Sequence, residues 1–160
     1  MSLPQNPSPQ LRESNVDDAQ NLASLHAVSF AELQRWDAAS IRSLMAQPTT
    51  TSLALTHNDM ILGFIMASFI AGESEILTLA IHPEHRRKGY AKTLIEKYIE
   101  QHSAKGLEKI FLEVAANNIA AIHLYQSLGF TIISKRANYY ATHNENGPQM
   151  IDGHVMSKTF

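Results

Sequence analysis

The chain has no cysteine among its 160 residues, which excludes disulfide cross-links and any covalent acyl-cysteine intermediate. A strong charge of either sign is also missing: 13 Lys and Arg against 15 Asp and Glu leave a formal net charge of -2. So small an imbalance supplies no general attraction to a phosphate backbone or an anionic lipid surface, and neither nucleic acid nor membrane is expected as a partner. Long apolar runs are absent as well. Met60 to Ala71 is interrupted by Gly63 and Ser68 and falls far short of the ~20 residues of a membrane-spanning helix. The start carries Pro4, Pro7 and Pro9 among polar residues, with neither the basic nor the apolar region of a secretory signal. Residues 1–10 therefore read as a disordered tail, and a cytoplasmic location is expected.

What the chain does have is a 44% hydrophobic content, enough for one core, so residues 11–160 are expected to form one domain. Leu11 to Ser14 reads as a first strand. Asp17 then caps a helical segment carrying Leu22, Leu25, Val28 and Phe30, and Asp37 to Met45 fits a second helix. Thr51 to Thr56 alternates and is β-branched, His57-Asn58-Asp59 is turn chemistry, and Met60 to Ile70 completes a hairpin. Glu75 to Ile81 is a fourth strand. From there the pattern changes to helix (Gly89 to Lys105), strand (Lys109 to Val114) and helix (Ile119 to Leu128), a βαβα arrangement. The nearly continuous apolar run from Ile110 to Val114 predicts a parallel strand covered on both faces. Thr131 to Arg136 and His154 to Lys158 are the last two strands, with a loop from Thr142 to Pro148. The sum is a mixed α/β domain of about seven strands and about four helices.

Three groups of residues carry chemistry. His82-Pro83-Glu84-His85-Arg86-Arg87-Lys88-Gly89-Tyr90-Ala91 leaves a strand and enters a helix through a basic loop containing glycine. Exposed amides at such a helix start suit a pyrophosphate, although an ordinary solvated turn would look the same. Asn117 to Phe130 holds a short helix marked at both ends, by Asn118 as N-cap and Gly129 as a left-handed stop. On that helix Tyr125 is either a core aromatic or a reactive phenol, whereas His123 points to solvent. Glu113 is a carboxylate within an apolar strand. It is accounted for either by an ion pair with Lys109 or a neighbouring lysine, or by service as a general base. His82 and His85 lack a third ligand at a recognisable spacing, so no metal site is expected.

The order of these motifs resembles the GNAT acetyltransferases: Arg86-Arg87-Lys88-Gly89-Tyr90-Ala91, then Leu112-Glu113-Val114, then Asn118, then Leu124-Tyr125-Gln126-Ser127-Leu128-Gly129-Phe130. The likeness is specific from about Leu77 to Phe130. Trp36-Asp37 and Arg136-Ala137-Asn138-Tyr139-Tyr140 extend it toward the bacterial ribosomal-protein-alanine N-acetyltransferases. The resemblance implies a sheet opened between its fourth and fifth strands, with acetyl-CoA as cosubstrate. Leu79, Ala80 and Ile81 would bind the pantetheine arm, and Arg86 and Arg87 through Lys88, Gly89, Tyr90, Ala91 and Lys92 the pyrophosphate. Asn118 would contact the cofactor arm, Glu113 would be the general base, and Tyr125 the general acid. Trp36, Tyr139 and Tyr140 would line the acceptor groove. The acceptor so implied is a protein N-terminus, that of a ribosomal protein with an N-terminal alanine; a polyamine or aminoglycoside acceptor, or a catalytically silent CoA-binding module, are the alternatives. Ala141 departs from the proline common after the paired tyrosines.

Overall fold

The computed structural model describes residues 8–160; most of the expected tail, residues 1–7, lies outside the described residues. Strand β1 (Gln10–Glu13) begins inside the stretch read as tail, because Gln10 pairs with Thr56. A helical turn at Val16–Asp18 follows, then helices α1 (Ala19–Ser29) and α2 (Ala38–Met45). Asp17 does not cap α1, whose N-cap position is Asp18 without a side-chain cap bond; the helical turn before it is capped by Asn15, whose side chain accepts from the Asp17 amide while the Asp18 side chain accepts from the Asn15 amide. That reciprocal arrangement satisfies both donors. Asp37 does cap α2, accepting from Ser40 N–H at 2.7 Å.

Strands β2 (Thr50–His57) and β3 (Met60–Ile70) form the expected hairpin. Asn58 and Asp59 both have positive φ, 48° and 63°, the backbone that a tight hairpin with the native strand twist requires. Strand β4 (Glu73–Ile81), helix α3 (Tyr90–Ser103), strand β5 (Lys109–Ala115) and helix α4 (Ile119–Ser127) follow in order. Strands β6 (Thr131–Asn144) and β7 (Gly147–Thr159) are much longer than expected. The loop predicted from Thr142 to Pro148 is a tight hairpin turn between two ladders that run almost to its tip.

All seven strands form one sheet in the order β1-β2-β3-β4-β5-β7-β6. Alternation along the strands divides the core between its two faces. One face packs Leu53, Leu55, Ile65, Ile110 and Leu112 against Leu94, Ile95 and Tyr98 of α3 and Ile122 and Tyr125 of α4. The other packs Ala54, Phe64 and Met66 against Ala19, Leu22 and Leu25 of α1 and Ile41 of α2. No helix among the described residues is long and apolar enough to cross a membrane.

The expectation of a parallel β5 covered on both faces holds only in part. Its pairing with β4 is parallel, but its other neighbour, β7, is antiparallel. Ile110, Leu112 and Val114 are buried, while Phe111 and Glu113 are only half-buried. Phe111 and Glu113 thus face the more open side.

Candidate active site

The parallel ladder between β4 and β5 holds only four pairs, from Glu73↔Lys109 to Ile76↔Leu112. One residue on, β4 bulges: Ala67 pairs with Ile76 and Met66 with Thr78, leaving Leu77 extra. A bulge bends and further twists its strand, and the two strands separate from this point. Leu79, Ala80 and Ile81 remain paired to β3, but their opposite side carries no ladder partner. Glu113 is the first residue of β5 past the last pair. The bulge at Leu77 has no sequence signal, since it needs neither glycine nor proline.

Beyond Ile81 a helical turn, Pro83–His85, is capped by His82 and leads to Arg87 at φ 61° and Gly89 at φ 80°. Glycine takes that left-handed backbone without strain, whereas Arg87 takes it at a cost. Helix α3 starts at Tyr90, and the Thr93 amide bonds the Gly89 carbonyl. The amides of the first turn before Thr93 have no partner inside the helix. The cations predicted to act alike are divided. Arg86, itself exposed, is tied down by donating to the carbonyls of Ile81, 3.2 Å, and Ser29, 3.3 Å. Arg87 and Lys88 are exposed on the loop, and Lys92 forms a loose 3.8 Å pair with Glu96. Tyr90 packs its ring against the core, and Ala91 is half-buried beside it.

Glu113 does not pair with Lys109, which lies instead over the Phe111 ring at 4.7 Å. Its partner is Arg136, whose Nη1 donates to Glu113 Oε1 at 2.7 Å. The same guanidinium lies 3.8 Å from the centroid of Tyr139, and the hydrogen bond it donates to Glu113 raises its already high pKa. Tyr139 and Tyr140 meet edge to face at 5.0 Å. Burial and then the Glu113 charge push the Tyr140 phenol up to about 12. Tyr125 is buried against Phe130, and burial followed by the neighbouring Tyr140 raises its pKa, so it stays protonated at neutral pH. Glu113 and Tyr125 thus offer a half-buried carboxylate and a protonated phenol, residue types able to accept one proton and supply another. Asn118 serves as the cap of α4, accepting from the Ala121 amide at 3.2 Å, which leaves its side-chain amide group free to donate.

Trp36 is held on α1. Its ring stacks on His26 at 5.2 Å, and its backbone N–H donates to His26 Nδ1 at 3.2 Å. Two residues earlier, Gln34 Nε2 donates to the Ala141 carbonyl at 3.4 Å. That bond brings the segment before Trp36 against the strand that carries the tyrosine pair. Sequence reasoning gave no role to His26 or Asp152 and did not pair Arg136 with Glu113. The buried His26 had no signal beyond helical spacing.

A splayed mixed sheet, a cationic loop at a helix start beyond the opening, and a carboxylate just past the last ladder pair define the class. The chain belongs to the acetyltransferase (GNAT) family, which matches residues 11–130. It is 36% identical over 91 residues to the [ribosomal protein bS18]-alanine N-acetyltransferase of Salmonella typhimurium, a match covering 57% of this chain and 62% of that enzyme. The solved structure of the ribosomal-protein-S18-alanine N-acetyltransferase from Escherichia coli superposes with TM-score 0.84 at 24% identity, covering 94% of this chain and 93% of that one. Arabidopsis thaliana NAA60 in complex with a bisubstrate analogue superposes with TM-score 0.80 at 20% identity, over 95% and 98% of the two chains.

Proposed function

We propose that this protein transfers an acetyl group from acetyl-CoA directly to the N-terminal α-amine of a protein, with a ribosomal protein beginning in alanine as the acceptor and the cytoplasm as its place of work. The observation that carries this reading is the end of the β4–β5 ladder at Ile76 and Leu112, immediately before Glu113. Acetyl-CoA supplies an activated thioester on an amide-bearing arm that ends in a pyrophosphate, and the residues present fit it. The unpaired side of Leu79 to Ile81 offers backbone groups to the arm as an added strand would. The start of α3 offers amides to the pyrophosphate, with Arg87, Lys88 and Lys92 adding positive charge.

Glu113 takes the ammonium proton of the acceptor, and Tyr125 protonates the departing sulfur. An α-amine, with a reference pKa of about 7.7 to 8.0, releases its proton more readily than a lysine at about 10.4, a difference of roughly 3 kcal/mol at neutral pH. A carboxylate base is sufficient for the former. The Arg136 cation against Glu113 weighs against a polyamine, which would bring further positive charge to the same place. The S18-alanine enzymes named above support the choice of acceptor.

The test is acetyl transfer from acetyl-CoA to a panel of free and blocked peptides, lysine peptides and polyamines, with product mass locating the acetyl group. Transfer confined to free Ala-starting peptides upholds the reading. Transfer only to polyamines or lysine side chains overturns the acceptor, and no transfer to any amine overturns the activity.

A further inference from the structure

Between Arg136↔Gly153 and Tyr140↔Ile151 the β6–β7 ladder is interrupted, and three residues of β6, Ala137, Asn138 and Tyr139, stand opposite the single residue Asp152. In a regular strand, adjacent residues point to opposite faces. Here both tyrosines lie over the same spot: a Cβ built on Gly153 would meet Tyr140 at 3.2 Å and Tyr139 at 3.3 Å. The bulge therefore puts Tyr139 and Tyr140 together and leaves Arg136, at its other end, bonded to Glu113.

This bulge needs a support. Asn138 has φ 52°, which costs free energy in any residue but glycine, least in asparagine or aspartate. Its amide has lost the ladder. Asp152 Oδ1 accepts that amide at 2.9 Å. The Asp152 main-chain carbonyl meanwhile accepts from Ala116 N–H at 2.8 Å, in the turn that leads to the Asn118 cap and α4. One residue thus ties the tyrosine bulge, through its side chain, to the start of the helix carrying Tyr125, through its backbone.

We infer that Asp152 is the positioning residue of the acceptor side, holding Arg136, Tyr139 and Tyr140 in register with Glu113 through the Asn138 amide. The inference rests on the acetyltransferase reading for its kinetic consequence, but the clamp itself can be measured without turnover. Asp152→Ala removes the acceptor oxygen, whereas Asp152→Asn keeps it. The main-chain bond to Ala116 survives in both.

In the full-length protein, Asp152→Ala should raise the KM for an Ala-starting peptide by roughly tenfold or more, while acetyl-CoA affinity by calorimetry stays within about twofold. Asp152→Asn should recover most of the loss. Amide hydrogen exchange at Asn138 should be fast in Asp152→Ala and slow in the wild type and in Asp152→Asn. An unchanged peptide KM in Asp152→Ala, an equal loss of acetyl-CoA affinity, or an asparagine variant as impaired as the alanine one would overturn the inference. If the wild type acetylates no peptide, the proposed activity falls. Exchange at Asn138 then decides the clamp, with equal protection in all three proteins refuting it.

Discussion

Arg136 acts on Glu113 in a way that bears on how the base works. It donates to Oε1 at 2.7 Å and rests on Tyr139, yet half of its own side-chain surface stays exposed. The carboxylate is oriented without being closed off from an incoming amine. Glu113→Gln preserves shape and an acceptor oxygen but cannot take a proton. It should lower turnover by about 10²–10⁴ and change acetyl-CoA affinity by less than about twofold. Tyr125→Phe should reduce turnover with equally little effect on binding, because it removes only the hydroxyl and leaves the ring packed on Phe130. Single-turnover rates and calorimetry separate the two quantities, and wild-type turnover in both variants would remove the acid-base assignment. Glu113 was legible because a carboxylate in an apolar run calls for a reason. Its partner was not: Arg136 lies 23 residues away, and a bulge that no residue type announces sets its register.

At the scale of the element, the loop between β4 and α3 shows what sequence can and cannot resolve. Pro83 and Gly89 mark the turn and the helix start through their own backbone restrictions, so the loop was placed correctly. Adjacent arginines carry no such marks. Arg86 anchors the loop to α1 through the Ser29 carbonyl, while Arg87 sits outside at φ 61°. Two substitutions separate charge from strain. Arg87→Gly and Arg87→Ala remove the same cation and should weaken acetyl-CoA binding alike, increasingly so at low salt. Only alanine keeps a Cβ in the left-handed region, so the glycine variant should be the more stable by about 1 kcal/mol. Paired denaturant titrations and acetyl-CoA binding isotherms check both halves. Equal stability would show that the loop relaxes out of this conformation. The long β6–β7 hairpin escaped sequence reading for the opposite reason: Asn144, Glu145 and Asn146 look like loop, but they occupy only the tip of a ladder whose strands bury little and hence show weak alternation.

For the molecule as a whole, the two-faced core was largely legible, because the periods of 2 and 3.6 place apolar residues without tertiary knowledge. A polar group buried inside it was not. His26 is 1% exposed, sandwiched between Phe30 at 4.2 Å and Trp36 at 5.2 Å, and burial lowers its pKa to about 4. Its Nδ1 accepts the Trp36 amide, which a proton on that nitrogen would prevent. The unfolded chain binds this proton near pH 6.5, and the folded chain only near 4. Below pH 6.5 the unfolded state therefore holds the extra proton, and stability falls as pH falls through this window. Above pH 6.5 the contribution is flat. The expected loss from His26 alone is on the order of 3 kcal/mol. His102, also depressed by burial, adds to it with the same sign. His26→Gln keeps an acceptor for Trp36 but cannot titrate, so its stability should decline less steeply between pH 6.5 and 4 than that of the wild type. Chemical denaturation at half-unit pH steps measures both slopes. Parallel slopes would mean that His26 becomes protonated within the fold at little cost, and the Trp36 segment would then owe its place beside the strand that carries the tyrosines to packing alone.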